Sequence, residues 1–370
     1  MWVLCGNTCK NAFPVTECRT IPNRTGRIRT RIIQLRNNSF DLIRHFAALM
    51  VLVSHHFALA GQEEPGITGY NSLGGIAVIA FFSISGLLIT HSFLNTSSVT
   101  DYLAKRVARI FPALIACAFI MTFVAGGIFA QGYITGPSAL FDFLRISLFG
   151  RAAIDEITNG FIFSESFNGS LWTLKIEFAF YLLVAATLSL YRHAATAGAM
   201  LVAFCIATYV LGNAPATALT QKLAVYGGAG IAFFAGSLLA FYKQYLGARH
   251  RLAMTLVACL GLIPFATGTP VAGVVITLCI CLATLSLGLL YVDHTIRGRF
   301  DLSYGIYLYA FPVQQLVINK TSLAFVPSMI ASALIVIVLA AASWIWIERP
   351  ALQWVHRRGK ARVSDTVIPS

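Results

Sequence analysis

Long apolar runs alternate with short polar joins along the whole chain. Ten runs read as candidate membrane spans: 40–60, 73–94, 111–131, 171–191, 194–212, 222–242, 252–267, 270–291, 302–320 and 325–347. The seventh is short, and Gly268–Pro270 leaves only a tight join before the eighth. A longer segment, 132–170, rich in Gly, Ser and Phe, separates the third from the fourth. The pattern predicts an all-α polytopic membrane protein with about ten transmembrane helices.

The polar residues inside these runs carry the chemistry. The first run holds Arg44, His45, His55 and His56. Ionisable groups in hydrocarbon are costly and usually face a protein interior or a water-filled cavity. Eleven steps separate Arg44 from His55, about three helical turns, so both lie near one face, roughly 16 Å apart along the axis. One end of that face has a fixed positive charge; the other has a group able to take and return a proton near neutral pH. The plainer reading places Arg44 and His45 at the lipid edge, snorkelling to headgroups, with interfacial histidines at the far end.

Other runs add polar sites. Ser83, Ser85 and Gly86 in Phe81-Phe82-Ser83-Ile84-Ser85-Gly86 are small enough to admit a close neighbour helix. Arg106 and Arg109 are three apart and share a helix face; they suit bidentate phosphate binding, or serve as ordinary headgroup contacts. Ser170, Thr173, Glu177 and Tyr181 form one polar stripe, flanked by Trp172. Glu177, several residues into its span, needs a partner. It can orient His55, bind a sugar hydroxyl, or form a structural pair with an arginine or histidine. Lys175 points elsewhere. In the ninth run Tyr304, Tyr307 and Tyr309 either line a substrate path or form an aromatic belt, the belt being the safer reading for Tyr304. Pro312 should kink that helix and free a backbone carbonyl. Trp344, Trp346 and Glu348-Arg349-Pro350 read as an interfacial anchor and stop.

Composition excludes a soluble enzyme: of 370 residues 57% are hydrophobic and 11% charged, with a mean hydropathy of +0.75, against ~25% charged in soluble domains. The net charge of +13 does not point to nucleic acid, because 21 of the 27 Lys and Arg fall in alternate joins and both ends, and 4 in the opposite joins. That asymmetry predicts both termini inside. Residues 1–38 lack the apolar core of a signal peptide and read as a basic cytoplasmic tail; 353–370 form a second, leaving 39–352 as the membrane domain. Cys5, Cys9 and Cys18 lie in the tail, the other five cysteines in apolar runs, and neither a metal cluster nor a disulfide framework emerges.

Taken together these segments resemble the acyltransferase 3 family of bacterial inner-membrane proteins. The resemblance rests on Arg44-x10-His55, Phe81-Phe82-Ser83-Ile84-Ser85-Gly86, Arg106-x-x-Arg109 with Phe111-Pro112, and Ser170-Leu-Trp172-x4-Glu177-x3-Tyr181. It continues in Ser303-Tyr304-Gly305-x-Tyr307-x-Tyr309-x-Phe311-Pro312 and Glu348-Arg349-Pro350, all in order across about 39–352. It implies transfer of an acyl group, usually acetyl, from cytoplasmic acyl-CoA to a hydroxyl of a lipid-linked or nascent surface glycan, with acyl-CoA as co-substrate and no bound cofactor. Arg44, Arg106 and Arg109 would hold the polyanionic CoA. His55 would act as general base on the acceptor hydroxyl, or carry the acyl group, with Glu177 as its catalytic companion. Ser170, Trp172 and Tyr307 would contact substrate. Ala310 departs from the pattern, since many members have histidine there. The rival from another class is a proton-coupled transporter, but no internal repeat is evident. The acceptor and the oligomeric state are not written in the sequence.

Overall fold

The computed structural model describes residues 38–96, 98–242, 248–296 and 298–365. The expected N-terminal tail, with its three cysteines, lies outside them except for residue 38.

The helices are α1 (Phe40–Leu59), α2 (Leu73–Leu94), α3 (Val99–Phe119), α4 (Pro137–Ser147), α5 (Trp172–Leu190), α6 (Ala194–Gly212), α7 (Ala218–Leu239), α8 (Arg249–Ala266), α9 (Ala272–Leu290), α10 (Ser303–Lys320), α11 (Phe325–Ser343) and α12 (Arg349–Asp365). A π-turn, Ile120–Ala125, carries α3 on to Phe129, and another, Trp344–Glu348, joins α11 to α12. The only sheet among the described residues is a two-stranded hairpin after α1, Gly66–Ile67 against Asn71–Ser72.

Among the described residues nine helical segments are long and apolar enough to cross a membrane. The tenth expected span forms as α10 but is less apolar than the rest, because it faces protein rather than lipid. Every residue from Ser303 to Pro312 is buried, as are Gln314 and Gln315. Protein groups engage its side-chain amides: Gln314 Nε2 donates to the Leu52 carbonyl at 2.8 Å, and Gln315 Nε2 to that of Phe163 at 2.7 Å. Pro312 has no N–H to offer the carbonyl four residues back, that of Leu308. Asn168 Nδ2 takes up that freed oxygen at 3.1 Å. The proline thus ties the entry of α5 to α10.

Two boundaries differ from expectation. The third span begins at Val99, so Arg106 and Arg109 sit inside a continuous helix rather than in a loop. Ser98 caps it, accepting from the Thr100 N–H. At the other end of the chain, helix continues through 353–365. The join between α8 and α9 is made by Gly268 at φ +79°, the left-handed conformation that glycine adopts without penalty.

α1 lies in the middle, packed on α2, α9, α10 and α11. Its Ala48 and Leu52 meet Ile306 and Ala310 of α10 and Val336 and Ala340 of α11; Phe40 packs on α2 and α9. On one flank α2, α5, α7 and α9 share an aromatic core around Phe180, Phe233 and Phe234. On the other, α3, α10 and the 131–170 segment share a second. The small residues of α2 do what their size suggests. A Cβ on Gly86 would sit 1.8 Å from the Phe233 carbonyl oxygen, and one on Gly236 2.1 Å from that of Ser83. The backbones of α2 and α7 therefore touch, and Thr90 and Ser237 hydrogen-bond across at 2.7 Å.

Gly86→Ala is expected to push α2 from α7 and to cost about 1–3 kcal/mol, the usual range for overpacking. The check is a lower thermal midpoint of the purified protein in detergent, with Gly132→Ala, where a Cβ meets nothing within 4 Å, as the control.

Candidate active site

Three cavities follow one another along the face of α1. At the His55 end lies the largest, about 500 Å³, lined by His55, Glu64, Tyr70, Trp172, Thr173 and Tyr307 among others. The middle one, about 40 Å³, shares Thr173 and Tyr307 with it and adds Phe81, Ser85 and Glu177. The third, about 270 Å³, lies at the Arg44 end; it shares Arg44, Ser85 and Glu177 with the middle one and adds Lys105 and Arg106. Two wide chambers thus meet through a narrow waist.

The waist is built from the polar stripe of α5. Glu177 accepts from Ser85 Oγ at 2.7 Å and from the Tyr181 hydroxyl at 2.5 Å. Thr173 Oγ1 and the Tyr307 hydroxyl lie 2.5 Å apart, and Tyr307 donates to the Ser170 carbonyl at 3.1 Å. Ser85 is more than a packing residue: it fixes a carboxylate. The expected link from Glu177 to His55 is not made, and the two line different cavities. The sequence places them on separate helices at depths it cannot compare. The α2 serine and the α5 tyrosine, one turn on, are simply nearer.

The two histidines separate cleanly. His56 is fully buried and held by protein: Nε2 lies 3.0 Å from Ser328 Oγ and 3.2 Å from the Phe325 carbonyl, and Nδ1 accepts from Gln314 Nε2 at 3.2 Å. His55 faces the large cavity. Its Nδ1 is buried without a hydrogen-bond partner, and its ring meets Phe311 edge-on at 5.2 Å. His45 serves structure: its Nδ1 bonds the Asp41 carbonyl at 2.7 Å, and its Nε2 accepts from the Leu302 N–H at 2.9 Å.

At the other end the arginines have acidic partners that sequence reading missed. Asp301 Oδ2 accepts from Arg44 Nη1 at 2.9 Å and also from Arg109 Nη2. Arg109 Nη1 reaches Glu348 Oε2 at 3.5 Å. Glu348 is 1% exposed, so it is a buried counter-ion and not an interfacial anchor. The π-turn before it brings Ser343 Oγ within 3.1 Å of its other oxygen, five residues along the chain. Tyr304 is not a belt residue either. It is buried, donates to the Ile110 carbonyl at 2.8 Å, and its ring lies 5.4 Å beneath the Arg109 guanidinium. Burial opposes charge on Asp301, but Arg109 and Arg44 prevail, and Ser303 Oγ adds a 2.6 Å bond, so its carboxyl is held well below the usual carboxylate range. Two half-buried guanidiniums call for carboxylates; the short acidic inventory of the chain is the signal that could find them.

Arg106 differs from Arg109. It lines the wide chamber, has Tyr102 and Tyr181 rings within 6 Å, and its Nε has no hydrogen-bond partner. Leu352 and Val355 of α12 close the same chamber. Trp172 lines the His55 cavity and stacks on Tyr226, with centroids 5.5 Å apart and planes at 27°. Ser170 is 1% exposed, and its hydroxyl donates to Asn168 Oδ1 at 2.7 Å, behind the cavity wall. The structure thus gathers His55, Trp172 and Tyr307 at one chamber, Arg44, Arg106, Arg109 and Glu177 at the other, and leaves Ser170 in support. Ala310 lies in the α1–α10–α11 contact, fully buried among apolar side chains. Among the described residues no cluster of three metal-ligating side chains occurs.

Comparison with known proteins agrees with the motifs. A family model described as an acyltransferase domain, of the acyltransferase 3 type, matches residues 37–349. An O-acetyl transferase of Shigella phage Sf6 is 36% identical over 325 residues, covering 85% of this chain and 96% of that protein. Nodulation protein 10 of Rhizobium leguminosarum bv. viciae is 30% identical over 350 residues, covering 85% and 93%. Acyltransferase MdmB of Streptomyces mycarofaciens is 30% identical over 160 residues, covering 41% and 38%. No solved structure matches the chain significantly.

Asp301→Asn removes the shared anion, strands Arg44 and leaves Arg109 with Glu348 alone. A loss of about 3–5 kcal/mol is expected, as when one partner of a buried ion pair is removed. Thermal unfolding in detergent checks it at neutral pH. The Asp301 contribution is complete above the unfolded carboxyl pKa of about 3.9 and is lost only as pH falls toward the lower folded value.

Proposed function

The chain belongs to the acyltransferase 3 family and is an O-acyltransferase, and from that premise we propose that it moves an acyl group, acetyl in the first instance, from acyl-CoA to a hydroxyl of a cell-surface or secreted carbohydrate. One observation carries this reading: a cationic chamber and a histidine chamber lie at opposite ends of α1, joined by a narrow polar waist.

The charge asymmetry of the joins supports a cytoplasmic Arg44 end, the side where acyl-CoA is made. That orientation, in a bacterial inner membrane, also puts the His55 chamber toward the far face, where surface glycans are assembled. CoA phosphates suit Arg106 and Lys105, with Arg44 behind them. The pantetheine arm is thin and uncharged, which fits a waist lined by Ser85, Thr173, Tyr307 and Glu177. It would deliver the thioester into the His55 chamber. There the acceptor oxygen attacks the thioester carbonyl, His55 takes the hydroxyl proton, and the C–S bond breaks. The CoA thiolate leaves with that proton as the thiol, and the acceptor leaves as its ester. That His55 lines the chamber supports this role, since the competing His56 has both ring nitrogens engaged. Glu177 acts one cavity away, shaping the waist rather than pairing with the base.

The transporter reading also predicted charged groups along a path, but family membership assigns acyl-transfer chemistry. The chain is therefore read as an enzyme whose path carries one substrate arm, not a solute.

His55→Ala should lower transfer by about 10²–10⁴-fold, the span of general base catalysis. His56→Ala should lower the yield of folded protein and leave turnover per folded molecule within a few-fold. Release of CoA thiol from acetyl-CoA in the presence of membrane glycan, normalised to folded protein, makes the comparison; a reversed ranking would remove His55 from the reaction.

Arg106→Ala should raise KM for acetyl-CoA by roughly tenfold or more, since a lost charge-assisted bond is worth about 1.5–3 kcal/mol, with little change in thermal midpoint. Arg109→Ala should instead lower the midpoint, because it strands the buried Glu348 and leaves Asp301 with Arg44 alone. Steady-state kinetics and thermal unfolding on the same two samples separate the roles.

A further inference from the structure

The large cavity carries a charge preference that neither the motifs nor the family comparison assigns. Among the described residues that line it, Glu64 is the one acid, and there is no lysine or arginine. Lys222 lies over the Tyr226 ring, outside the lining. Glu64 belongs to the loop between α1 and the hairpin. Its carboxylate is held by a hydrogen bond from Ser54 Oγ of α1. That bond keeps a half-buried carboxylate on the wall that His55 shares. The remaining polar lining is uncharged: Tyr70, whose hydroxyl meets Thr277 Oγ1 at 2.7 Å, with Asn71, Thr173 and Tyr307. Trp172 supplies an aromatic face.

We propose that this cavity selects neutral sugars and rejects carboxylated or phosphorylated ones, with Glu64 as the discriminating residue. The proposal rests on assigning the cavity to the acceptor. A carboxylate in a concave, low-dielectric wall creates a negative potential throughout the chamber, and no cation of the lining offsets it. It accepts hydrogen bonds from sugar hydroxyls, and such charge-assisted bonds are the stronger kind. It repels an acidic sugar, and building repulsion against the wrong ligand is an economical route to specificity. The aromatic face suits the C–H face of an uncharged ring.

The test reads the chamber directly. Gly228 lines it, and a Cβ there would meet only Thr277 Oγ1, at 4.0 Å, so Gly228→Cys places a thiol in the chamber without crowding. Purified full-length protein in lipid nanodiscs is treated with a cationic and an anionic methanethiosulfonate, and the rates of protein without the added cysteine are subtracted. The cationic reagent is expected to react at least about tenfold faster relative to the pair's intrinsic ratio. That preference should persist in Glu64→Asp, which keeps the charge, and fall to near unity in Glu64→Gln. Equal preference in Glu64→Gln and the parent would overturn the assignment to Glu64. A parent with no preference would overturn the charged chamber.

The same thiol then reports ligands. Methyl glucoside, galactoside and mannoside are compared with the corresponding methyl uronides as protectants. Protection by a neutral glycoside, at least tenfold stronger than by its uronide, is the expected result. Equal or stronger protection by a uronide, or no protection by any neutral glycoside, overturns the selectivity. Thiol release from acetyl-CoA is measured on the same preparation before modification. If that turnover is absent while the charge preference holds, the acyl-transfer reading fails and the charged chamber stands.

Discussion

Two half-buried guanidiniums at one end of a helical bundle set the terms for everything near them. Arg44 on α1 and Arg109 on α3 cannot stay charged in a low-dielectric interior without anions close by. Asp301, just before α10, serves both, and Glu348, at the end of a π-turn, serves Arg109 from the other side. One carboxylate thereby fixes the positions of α1, α3 and α10 at the same depth, and a second brings in the α11–α12 joint. The consequence is a division of labour between neighbouring arginines. Arg109 is consumed by structure, while Arg106, one turn away on α3, keeps unused hydrogen-bonding capacity toward the chamber.

With that end fixed, α1 acts as the ruler of the site. It sets the cationic chamber and the histidine chamber roughly 16 Å apart, and the stripe on α5 narrows the space between them. On the proposed reading a thin substrate arm crosses this waist and a polyanionic head does not, so the two substrates are sorted by shape and charge before any bond is made. Pro312 contributes from a distance: the carbonyl it frees on Leu308 holds Asn168, and Asn168 sets the entry of α5 from which Trp172 reaches the chamber.

Much of this was legible beforehand. The apolar runs marked the helices, because hydrocarbon tolerates only self-satisfied backbone and apolar surface. The eleven-step gap from Arg44 to His55, the i+3 arginines and the polar stripe from Ser170 to Tyr181 follow from helical periodicity alone. The carbonyl that Pro312 frees is legible too, since a missing N–H is a property of the residue and not of its surroundings. What failed were statements about neighbours. Tyr304 and Glu348 were placed at the lipid edge because aromatic and charged residues near span ends usually belong there; each instead turned inward to Arg109. Glu177 was offered to His55, yet Ser85 and Tyr181 stand closer. Ser170 was offered to substrate, but its hydroxyl is spent on Asn168.

The dividing line is physical. Sequence determined by itself what depends on one segment at a time: which runs are helical and apolar, which residues share a face, how far apart they lie along an axis, and which functional groups the membrane would not tolerate without a purpose. The motifs that place the chain in its family are of this kind. Tertiary structure alone decided what depends on two segments meeting: that Asp301 is shared, that His56 is bound and His55 free, that Glu64 joins the histidine chamber, and that three cavities line up. Contacts between helices hinge on relative depth and rotation, which long-range packing fixes and no local periodicity encodes.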